Sequence, residues 1–379
     1  MRLVIPLSAV ALLACHDGST SAAPSTAPSA PGSAETAAAS TLAAPDATPP
    51  PSLPPFAPSR VTGTDAAMGT HISLAAYTSP SADEAAVRKA FDACVSEIRR
   101  IESLMTTWRP DAELSRVNAA AGKAPVSVSP ETFDIVKESV HASEISEGAF
   151  DITFESLHGL WKFDQDLDPH PPTDAQIRAK LPLVGYRHIH LDETAHTIYL
   201  DQAGTKISLG GIAKGYAVDR AAKVLRDSGL TSFYVQAGGD LYAAGTKPDG
   251  SAWSAGIRDP RGPEGRYFAV IALRDHAFST AGDYERSYVI DGKRYHHIID
   301  PKTGRPATAS RSVTIYAPTA LLADEIDDAV FILGPEKGLK LVESLDGVGA
   351  VIVDAKNNVH VSKRIEEALH LTAVPTDAP

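Results

Sequence analysis

The order of predicted strands and helices constrains the fold of this chain more than any other feature. Strands and helices are mixed without the regular strand–helix–strand alternation that a parallel sheet needs. The predicted helices are Ser81–Leu104, Ser129–Glu147, Thr173–Leu181, Ile212–Ser228, Ala320–Leu333 and Pro335–Ser344. The predicted strands are a hairpin over Val61–Tyr77, then His188–Leu191, Thr197–Leu200, Lys206–Leu209, Ser232–Gln236, Leu241–Gly245, Trp253–Ile257, Tyr267–Leu273, Ser312–Tyr316 and Val348–Asp354. This pattern predicts an α+β fold, a single compact body with a mainly antiparallel sheet and flanking helices.

The chain begins with a pattern typical of an export signal. Met1 and Arg2 precede an apolar run, residues 4–14, that is too short to cross a bilayer as a helix. The run ends in Leu-Leu-Ala-Cys, which is similar to a bacterial lipoprotein cleavage site. We therefore interpret residues 1–15 as a lipoprotein-type signal peptide and expect an acylated Cys15 to anchor an exported protein to a membrane, facing the periplasm. A simple cleaved signal peptide with an incidental cysteine is the alternative.

The composition then separates a linker from a folded body. Residues 16–59 are almost entirely Ala, Pro, Ser, Thr and Gly, which cannot bury enough apolar surface to fold, so we predict a disordered linker. Residues 60–372 form the predicted domain. Its single cysteine, Cys94, excludes an intrachain disulfide there. The net charge of −12 is unfavourable for binding nucleic acid.

The segment Ser279–Gly304 gathers an acidic turn, two adjacent histidines and a Gly/Pro-containing loop into one predicted hairpin. Such a set of polar groups is costly to bring together unless a polar ligand lies among them. If His296 and His297 lie in a strand, their imidazoles point to opposite faces, so one can face a cleft. Two hydrogen-bonded structural histidines are an equally good interpretation.

A glycine pair, Gly210-Gly211, follows a predicted strand and opens a predicted helix. Backbone N–H groups at such a junction attract anions, and Lys214 could reach a phosphate. The spacing matches neither a P-loop nor a dinucleotide fingerprint. A tight turn followed by a solvated lysine fits the same residues.

Asp324 and Asp328 are four residues apart on a predicted helix, so their carboxylates share one face, with Asp327 beside them. Like charges repel there, and a divalent cation such as Mg²⁺ would remove that cost. A solvated acidic face is the alternative, but the apolar neighbours Ile326 and Val330 favour a buried helix.

Met68 and Trp108 suit contact with a flavin or adenine ring, although residues of these types more often belong to a core.

Three segments together resemble the FAD:protein FMN transferase (ApbE-like) family. They are ISLGGIAKGYAVDR at Ile207–Arg220, STAGDYERSYVIDGKRYHHIIDPKTG at Ser279–Gly304, and ADEIDDA at Ala323–Ala329. Their order and spacing resemble the family from about Val61 to Val353. The resemblance implies an ApbE-like, T-fold-related architecture and Mg²⁺-dependent transfer of FMN from FAD to a Thr or Ser hydroxyl of an acceptor flavoprotein, with release of AMP.

The resemblance also implies roles for single residues. FAD would contact Met68, Trp108, Ala149, Phe150, Asp151, Ser208, Lys214 and Ile298. The metal would be held by the backbone carbonyl of Gly211, by Asp324 and by Asp328, and His297 would be the catalytic histidine. Three positions depart from the usual family pattern: Ser208 replaces a common Asp, Asp328 a common Thr, and Ala281 a common Ser.

The implied reaction leaves two points open. Either His297 or the nearby Asp283 could take the proton from the acceptor hydroxyl. Water in place of the acceptor would make the protein a Mg²⁺-dependent FAD pyrophosphatase, and FAD binding without chemistry would make it a flavin-binding lipoprotein.

Overall fold

The computed structural model describes residues 56–163 and 167–378. The predicted signal peptide, the predicted acylation site Cys15 and nearly all of the predicted linker lie outside these ranges. None of the helices in the described ranges is long and apolar enough to traverse a bilayer.

In chain order the described strands are Arg60–Ala67 (β1), Thr70–Tyr77 (β2), Val126–Ser127 (β3), Ile189–Asp192 (β4), Thr197–Leu200 (β5), Phe233–Ala237 (β6), Asp240–Ala244 (β7), Trp253–Arg258 (β8), Tyr267–Leu273 (β9), His276–Gly282 (β10), Ser287–Ile290 (β11), Lys293–His296 (β12), Ile299–Asp300 (β13), Arg305–Pro306 (β14), Ser310–Ala317 (β15), Gly349–Asp354 (β16), Val359–Val361 (β17) and Leu369–Leu371 (β18). The described helices are Glu84–Met105 (α1), Glu113–Ala119 (α2), Pro130–Ile145 (α3), Asp174–Lys180 (α4), Ala213–Asp227 (α5) and Ala320–Ser344 (α6).

One antiparallel sheet organises the body. Its eight strands lie in the order β1-β2-β6-β7-β10-β15-β16-β17. The apolar residues of α1, α5 and α6 pack on one face of it, in the larger of two hydrophobic clusters. The other face packs against a three-stranded sheet, β18-β9-β8, in the smaller cluster. The predicted α+β architecture with a mainly antiparallel sheet is confirmed.

Local sequence signals account for the ends of the long helices. Asp83 accepts a hydrogen bond from Ala86 N at the start of α1, and Ser129 accepts one from Thr132 N at the start of α3, with Pro130 in the first turn. Gly334 has φ 73° and ψ −178°, which only glycine adopts readily, so it divides α6 into two helical segments before Pro335. The two helices predicted on either side of Gly334 are therefore confirmed.

The first hairpin also follows its sequence signal. Strands β1 and β2 pair from Arg60↔Tyr77 to Ala67↔Thr70, and Met68 and Gly69 form the turn with φ of 53° and 68°. The hairpin predicted over Val61–Tyr77 is confirmed.

Two predictions about elements were wrong. Residues Lys206–Leu209 are extended but pair with no strand of the described chain; Ser208 N donates instead to the carbonyl of Ile152, at 3.1 Å. The segment Ser279–Gly304 is not one hairpin. It begins in β10 of the large sheet and continues through the β11–β12 hairpin into β13, which pairs with β14. The Gly/Pro-containing loop after His297 ends the first pairing and starts the second.

Candidate active site

The first turn of α5 and the middle of the first part of α6 meet through a lysine and a carboxylate. Lys214 Nζ lies 2.9 Å from Asp324 Oδ1, and the backbone N–H of Gly215 donates to Asp324 Oδ2, also at 2.9 Å. A Cβ at position 215 would lie 2.3 Å from the Ala320 carbonyl oxygen. Glycine is therefore needed at 215 for the two helices to approach closely enough to make these bonds.

The sheet brings two more polar residues to the same place. On β10, Ala277 and Ala281 lie on the helix-covered face, and the alternation of a strand places Ser279 on that face between them. Asp240 reaches it from the start of β7. Ser279 Oγ lies 2.7 Å from Asp240 Oδ1 and 2.6 Å from Asp327 Oδ2, and Asp240 Oδ2 lies 3.1 Å from Lys214 Nζ.

The hydrogen bonds of Ser279 imply a proton shared among these carboxyl groups. A serine hydroxyl has one proton to donate, so one of its two short contacts requires a protonated carboxyl. Burial, reinforced by the neighbouring carboxyls of Asp328, Asp324 and Asp240, raises the pKa of Asp327 well above its usual range. Asp327 is therefore the group that we expect to carry this proton at neutral pH.

Other groups of the cluster are perturbed as well. Burial and the Asp324 carboxylate raise the pKa of Asp240 and of Asp328 to about 7 each. Burial alone would lower the pKa of Lys214, but the carboxylates of Asp240 and Asp324 outweigh it and raise that pKa. Even with Asp327 protonated, Asp240, Asp324 and Asp328 outnumber the one cation, Lys214, so the site is suited to an additional positive charge.

Asp328 faces the glycine turn before α5. A Cβ at Gly211 would lie 3.4 Å from Asp328 Oδ2 and 3.3 Å from Phe150 Cε2, so the turn, the aromatic ring and the carboxylate adjoin one another. Within the described ranges Asp328 forms no hydrogen bond and no salt bridge, whereas Asp324 is paired with Lys214. Ser208 is half-buried next to this turn, and its Oγ accepts from Gly210 N at 3.3 Å.

The donor atoms of these residues are of the types that bind an oxygen-liganded cation, but their side chains are not arranged around a single metal position. Carboxylates and a carbonyl are the donors that Mg²⁺ prefers. In the described part of the chain, however, no three His, Cys, Asp or Glu side chains are arranged so that they could hold a metal ion. Both oxygens of Asp324 already accept hydrogen bonds, from Lys214 and from Gly215. Metal binding there therefore requires Lys214 to move away, or phosphate oxygens of a bound substrate to supply the missing metal ligands.

The two histidines differ in burial and in partners. His296, at the end of β12, is buried, and its Nε2 lies 2.8 Å from the carbonyl of Ala307. His297 lies at the bend after β12 and is half-buried, and its Nδ1 has no hydrogen-bond partner in the described chain. Burial, assisted by the nearby Arg286 cation, lowers the pKa of His297 to about 3, so its imidazole is neutral at pH 7. The Nδ1 atom of His296 also has no hydrogen-bond partner in the described chain, so the two histidines differ in the bond of His296 Nε2 and in burial.

The remaining predicted contact residues differ in exposure. Ala149, Phe150 and Ile298 are buried, Met68 is half-buried in the hairpin turn, and Trp108 is 85% exposed. Asp151 is buried, and its oxygens accept hydrogen bonds from Thr153 and from Tyr186 N, so its side chain fixes the local backbone.

Sequence reasoning missed Asp240 and Ser279, and its second candidate base fits poorly. Asp240 follows a glycine pair, Gly238-Gly239, which was the available signal for a turn that presents a polar side chain. Asp283 accepts hydrogen bonds from both terminal nitrogens of Arg261, at 2.6 and 2.7 Å. A carboxylate held in that way is a poor proton acceptor, which leaves His297 as the candidate.

The fold and this site define the class of ApbE-like proteins. A crystal structure of an ApbE protein from Thermotoga maritima has a TM-score of 0.74 to this chain at 32% identity, covering 82% of this chain and 99% of that one. A flavin transferase ApbE from Vibrio cholerae has a TM-score of 0.72 at 29% identity, covering 82% and 100%. An FAD:protein FMN transferase from Treponema pallidum is 33% identical over 318 residues, 80% of this chain and 87% of that protein.

Residues 68–352 match the ApbE family, and the chain belongs to it.

Proposed function

We propose that this protein is an FAD:protein FMN transferase, which moves FMN from FAD onto a Thr or Ser hydroxyl of an acceptor flavoprotein and releases AMP. The Treponema pallidum relative is named an FAD:protein FMN transferase, and the Vibrio cholerae structure is named a flavin transferase, which supports the proposal. The observation that carries the proposal is the buried cluster of Lys214, Asp240, Asp324 and Asp327, next to the Gly211 turn and Asp328. Such a site is suited to a diphosphate that binds together with a cation.

The proposed metal ligands are the carbonyl of Gly211 and the carboxylates of Asp324 and Asp328. When bound, Mg²⁺ would neutralise charge on the diphosphate oxygens. This chain supplies the remaining charge. Lys214 offers a fixed cation, and the N–H groups of the Gly210-Gly211 turn, at the start of α5, offer hydrogen bonds to phosphate oxygens.

The proposed chemical step exchanges one phosphate bond for another. The acceptor hydroxyl oxygen forms a bond to the phosphorus of the FMN moiety, and the bond from that phosphorus to the bridging oxygen breaks, so AMP leaves with the electron pair. The hydroxyl proton passes to the imidazole of His297. A pKa of about 3 makes this histidine a weak base, but the negative charge of a bound diphosphate would raise that pKa toward neutrality.

The experiment incubates the purified protein with FAD, Mg²⁺ and a candidate acceptor, then measures protein-bound flavin by in-gel fluorescence and AMP by chromatography. Transfer predicts a fluorescent acceptor band together with an equal amount of AMP. Free FMN and AMP without a labelled band would instead identify a pyrophosphatase. Retention of FAD without AMP would identify a binding protein.

We also propose export and lipid anchoring at Cys15, with the body on the periplasmic side of a membrane. The support is the N-terminal sequence pattern alone. Metabolic labelling with a fatty-acid analogue should mark the wild-type protein and leave a Cys15→Ser variant unlabelled. Equal labelling of both proteins contradicts the anchor.

A further inference from the structure

A groove runs beside the β11–β12 hairpin and the loop that follows it. Its first part is a cavity of about 290 Å³ between Trp161, Tyr295 and Arg294. Its second part, of about 450 Å³, shares Asp300, Ala309 and Ile332 with the first and extends to Ala149 and the start of the second α6 segment. The shared residues make the two hollows one continuous channel on the surface.

The groove is basic in an acidic protein. Its two parts are lined by five basic and two acidic residues. The basic residues are Lys293, Arg294, Lys302, Arg305 and Lys337, and the acidic ones are Asp300 and Glu336. The carboxylate of Asp300 accepts hydrogen bonds from Lys302 N and Thr303 Oγ1, so it is engaged by its own loop. The chain as a whole has a net charge of −12, so this local excess of positive charge runs against the general trend.

Most of these cations lack an acidic partner. Among the residues that the structure describes, Lys293, Lys302 and Lys337 form no salt bridge, and Arg305 pairs with Asp174. The Nε atom of Arg294 is buried without a hydrogen-bond partner, and its guanidinium donates to Ser287 Oγ at 3.0 Å. Burial and the nearby Arg261 and Arg311 lower the pKa of Arg294, while the Asp283 carboxylate close by is already bound by Arg261.

An aromatic wall keeps the groove in shape. Trp161 stacks on Tyr295 with ring centroids 5.9 Å apart, and its Nε1 donates to the Gly304 carbonyl at 2.9 Å. Tyr288 stacks on Tyr295 from the other strand of the hairpin, at 5.5 Å. Rigid aromatic residues next to arginine are the composition that protein interfaces favour.

The groove ends near the candidate active site. Ala149 lines its second part, and the next residue, Phe150, lies against Gly211 and so beside Asp328. Ala149 and Phe150 thus link the groove to the turn where the proposed transfer takes place.

We propose that this groove docks an acidic segment of the acceptor protein and directs its hydroxyl side chain toward the Gly211–Asp328 end. The inference rests on the proposed function for the identity of the partner. The docking itself is a binding event, so it can be measured without any turnover of FAD.

The test measures binding of poly-L-glutamate to the full-length protein by isothermal titration calorimetry, at low salt and with saturating FAD present. Net repulsion from a protein of charge −12 makes binding dependent on a local basic site. The variant Lys293→Glu/Lys302→Glu/Lys337→Glu should bind about tenfold more weakly or worse. The matched control, Lys89→Glu/Lys356→Glu/Lys363→Glu, changes the net charge equally at exposed positions outside the groove and should stay within about twofold of the wild type.

Two results overturn the proposal. An equal loss in both triple variants would mean that only net charge matters. Binding of poly-L-glutamate that occurs without FAD but disappears when FAD is saturating would assign the groove to the dinucleotide. Unchanged binding of FAD and an unchanged unfolding temperature in the groove variant show that its fold and dinucleotide site are intact. The single variant Lys293→Glu, at an exposed position, gives the same test with a smaller expected loss if the triple variant folds poorly.

Discussion

The two faces of the large sheet are packed in opposite ways. Under α5 and α6, the sheet buries Asp240, Ser279 and Asp327 beside the half-buried Lys214, and burial raises the pKa of Asp240 and of Asp327. Under β8, β9 and β18, the same strands present Tyr234, Leu241 and Phe278 to an apolar cluster around Trp253. One face therefore holds buried charge that does not stabilise the fold unless a ligand compensates it, and the other supplies hydrophobic stability.

The largest expected effect is a loss of activity, with little loss of stability, from a substitution on the helix-covered face. Asp324→Asn should lower the rate of flavin transfer by roughly 10³-fold, because it removes the carboxylate that Lys214 pairs with and that we expect to hold the metal. Its free energy of unfolding should change by only about 1 kcal/mol, since the amide oxygen can still accept from Gly215 N. Steady-state kinetics and urea denaturation measure the two quantities.

The exposed Asp346→Asn is the control for this change and should match the wild type in both measurements. Full activity of Asp324→Asn with unchanged Mg²⁺ dependence would show that Asp324 is not a metal ligand.

The converse change is on the strand-covered face. Trp253 is 1% exposed, its Nε1 donates to the Ala244 carbonyl at 3.0 Å, and its ring contacts Tyr77 and Tyr234. Trp253→Ala should lower the free energy of unfolding by about 3–5 kcal/mol, while the transfer rate per folded molecule stays the same. The exposed Trp108, replaced by Ala, should leave stability nearly unchanged and raise the KM for FAD. If Trp253→Ala abolished activity in the folded fraction, the two faces would not be independent.

A third change tests how closely the helices must approach. Gly215→Ala places a methyl group 2.3 Å from the Ala320 carbonyl oxygen, which forces α5 and α6 apart. We expect a loss of about 1–3 kcal/mol in the free energy of unfolding, together with reduced activity because Lys214 moves away from Asp324. Lys223→Ala, on the exposed part of α5, is the matched control for thermal denaturation. A variant as stable and active as the wild type would show that the contact can relax.

The smallest effect concerns an acid outside the buried cluster. Burial would raise the pKa of Asp354, but hydrogen bonds from His360, Asn358 and neighbouring backbone N–H groups lower it to about 2. The folded-state pKa lies below the unfolded value, so this stabilisation is present above about pH 4 and is lost as the pH falls through about 2. Asp354→Asn should cost about 1 kcal/mol at pH 7 and nothing near pH 2, measured by urea denaturation at both pH values. A constant difference across that range contradicts the assignment.

The sequence predicted what local signals encode. The caps at Asp83 and Ser129, the turn at Met68-Gly69 and the break at Gly334 all lie where residue types alone indicate them. The short helix α2 and the short strands β17 and β18 were missed, because each has few apolar positions from which a period can be read and is fixed by tertiary contacts.

The sequence likewise predicted some residues of the candidate site and missed others. The motif residues Lys214, Asp324 and Asp328 could be named from spacing and resemblance, and the structure brings them together. Asp240 and Ser279 come from separate strands, so only the pairing of β7 with β10 shows that they meet. The bidentate pairing of Asp283 with Arg261 likewise joins residues 22 positions apart, which no local pattern encodes.

The position of β1 has a consequence for where the proposed lipid tether would join the body. This edge strand begins at Arg60 and ends beside the Met68 turn, and the Gly238 N–H, two residues before Asp240, donates to His71 on the partner strand. Eight residues span seven steps of about 3.3 Å, so the two ends of the strand lie roughly 23 Å apart. If Cys15 is acylated as proposed, the tether would therefore join the body at Arg60, at the end of β1 remote from the Met68 turn.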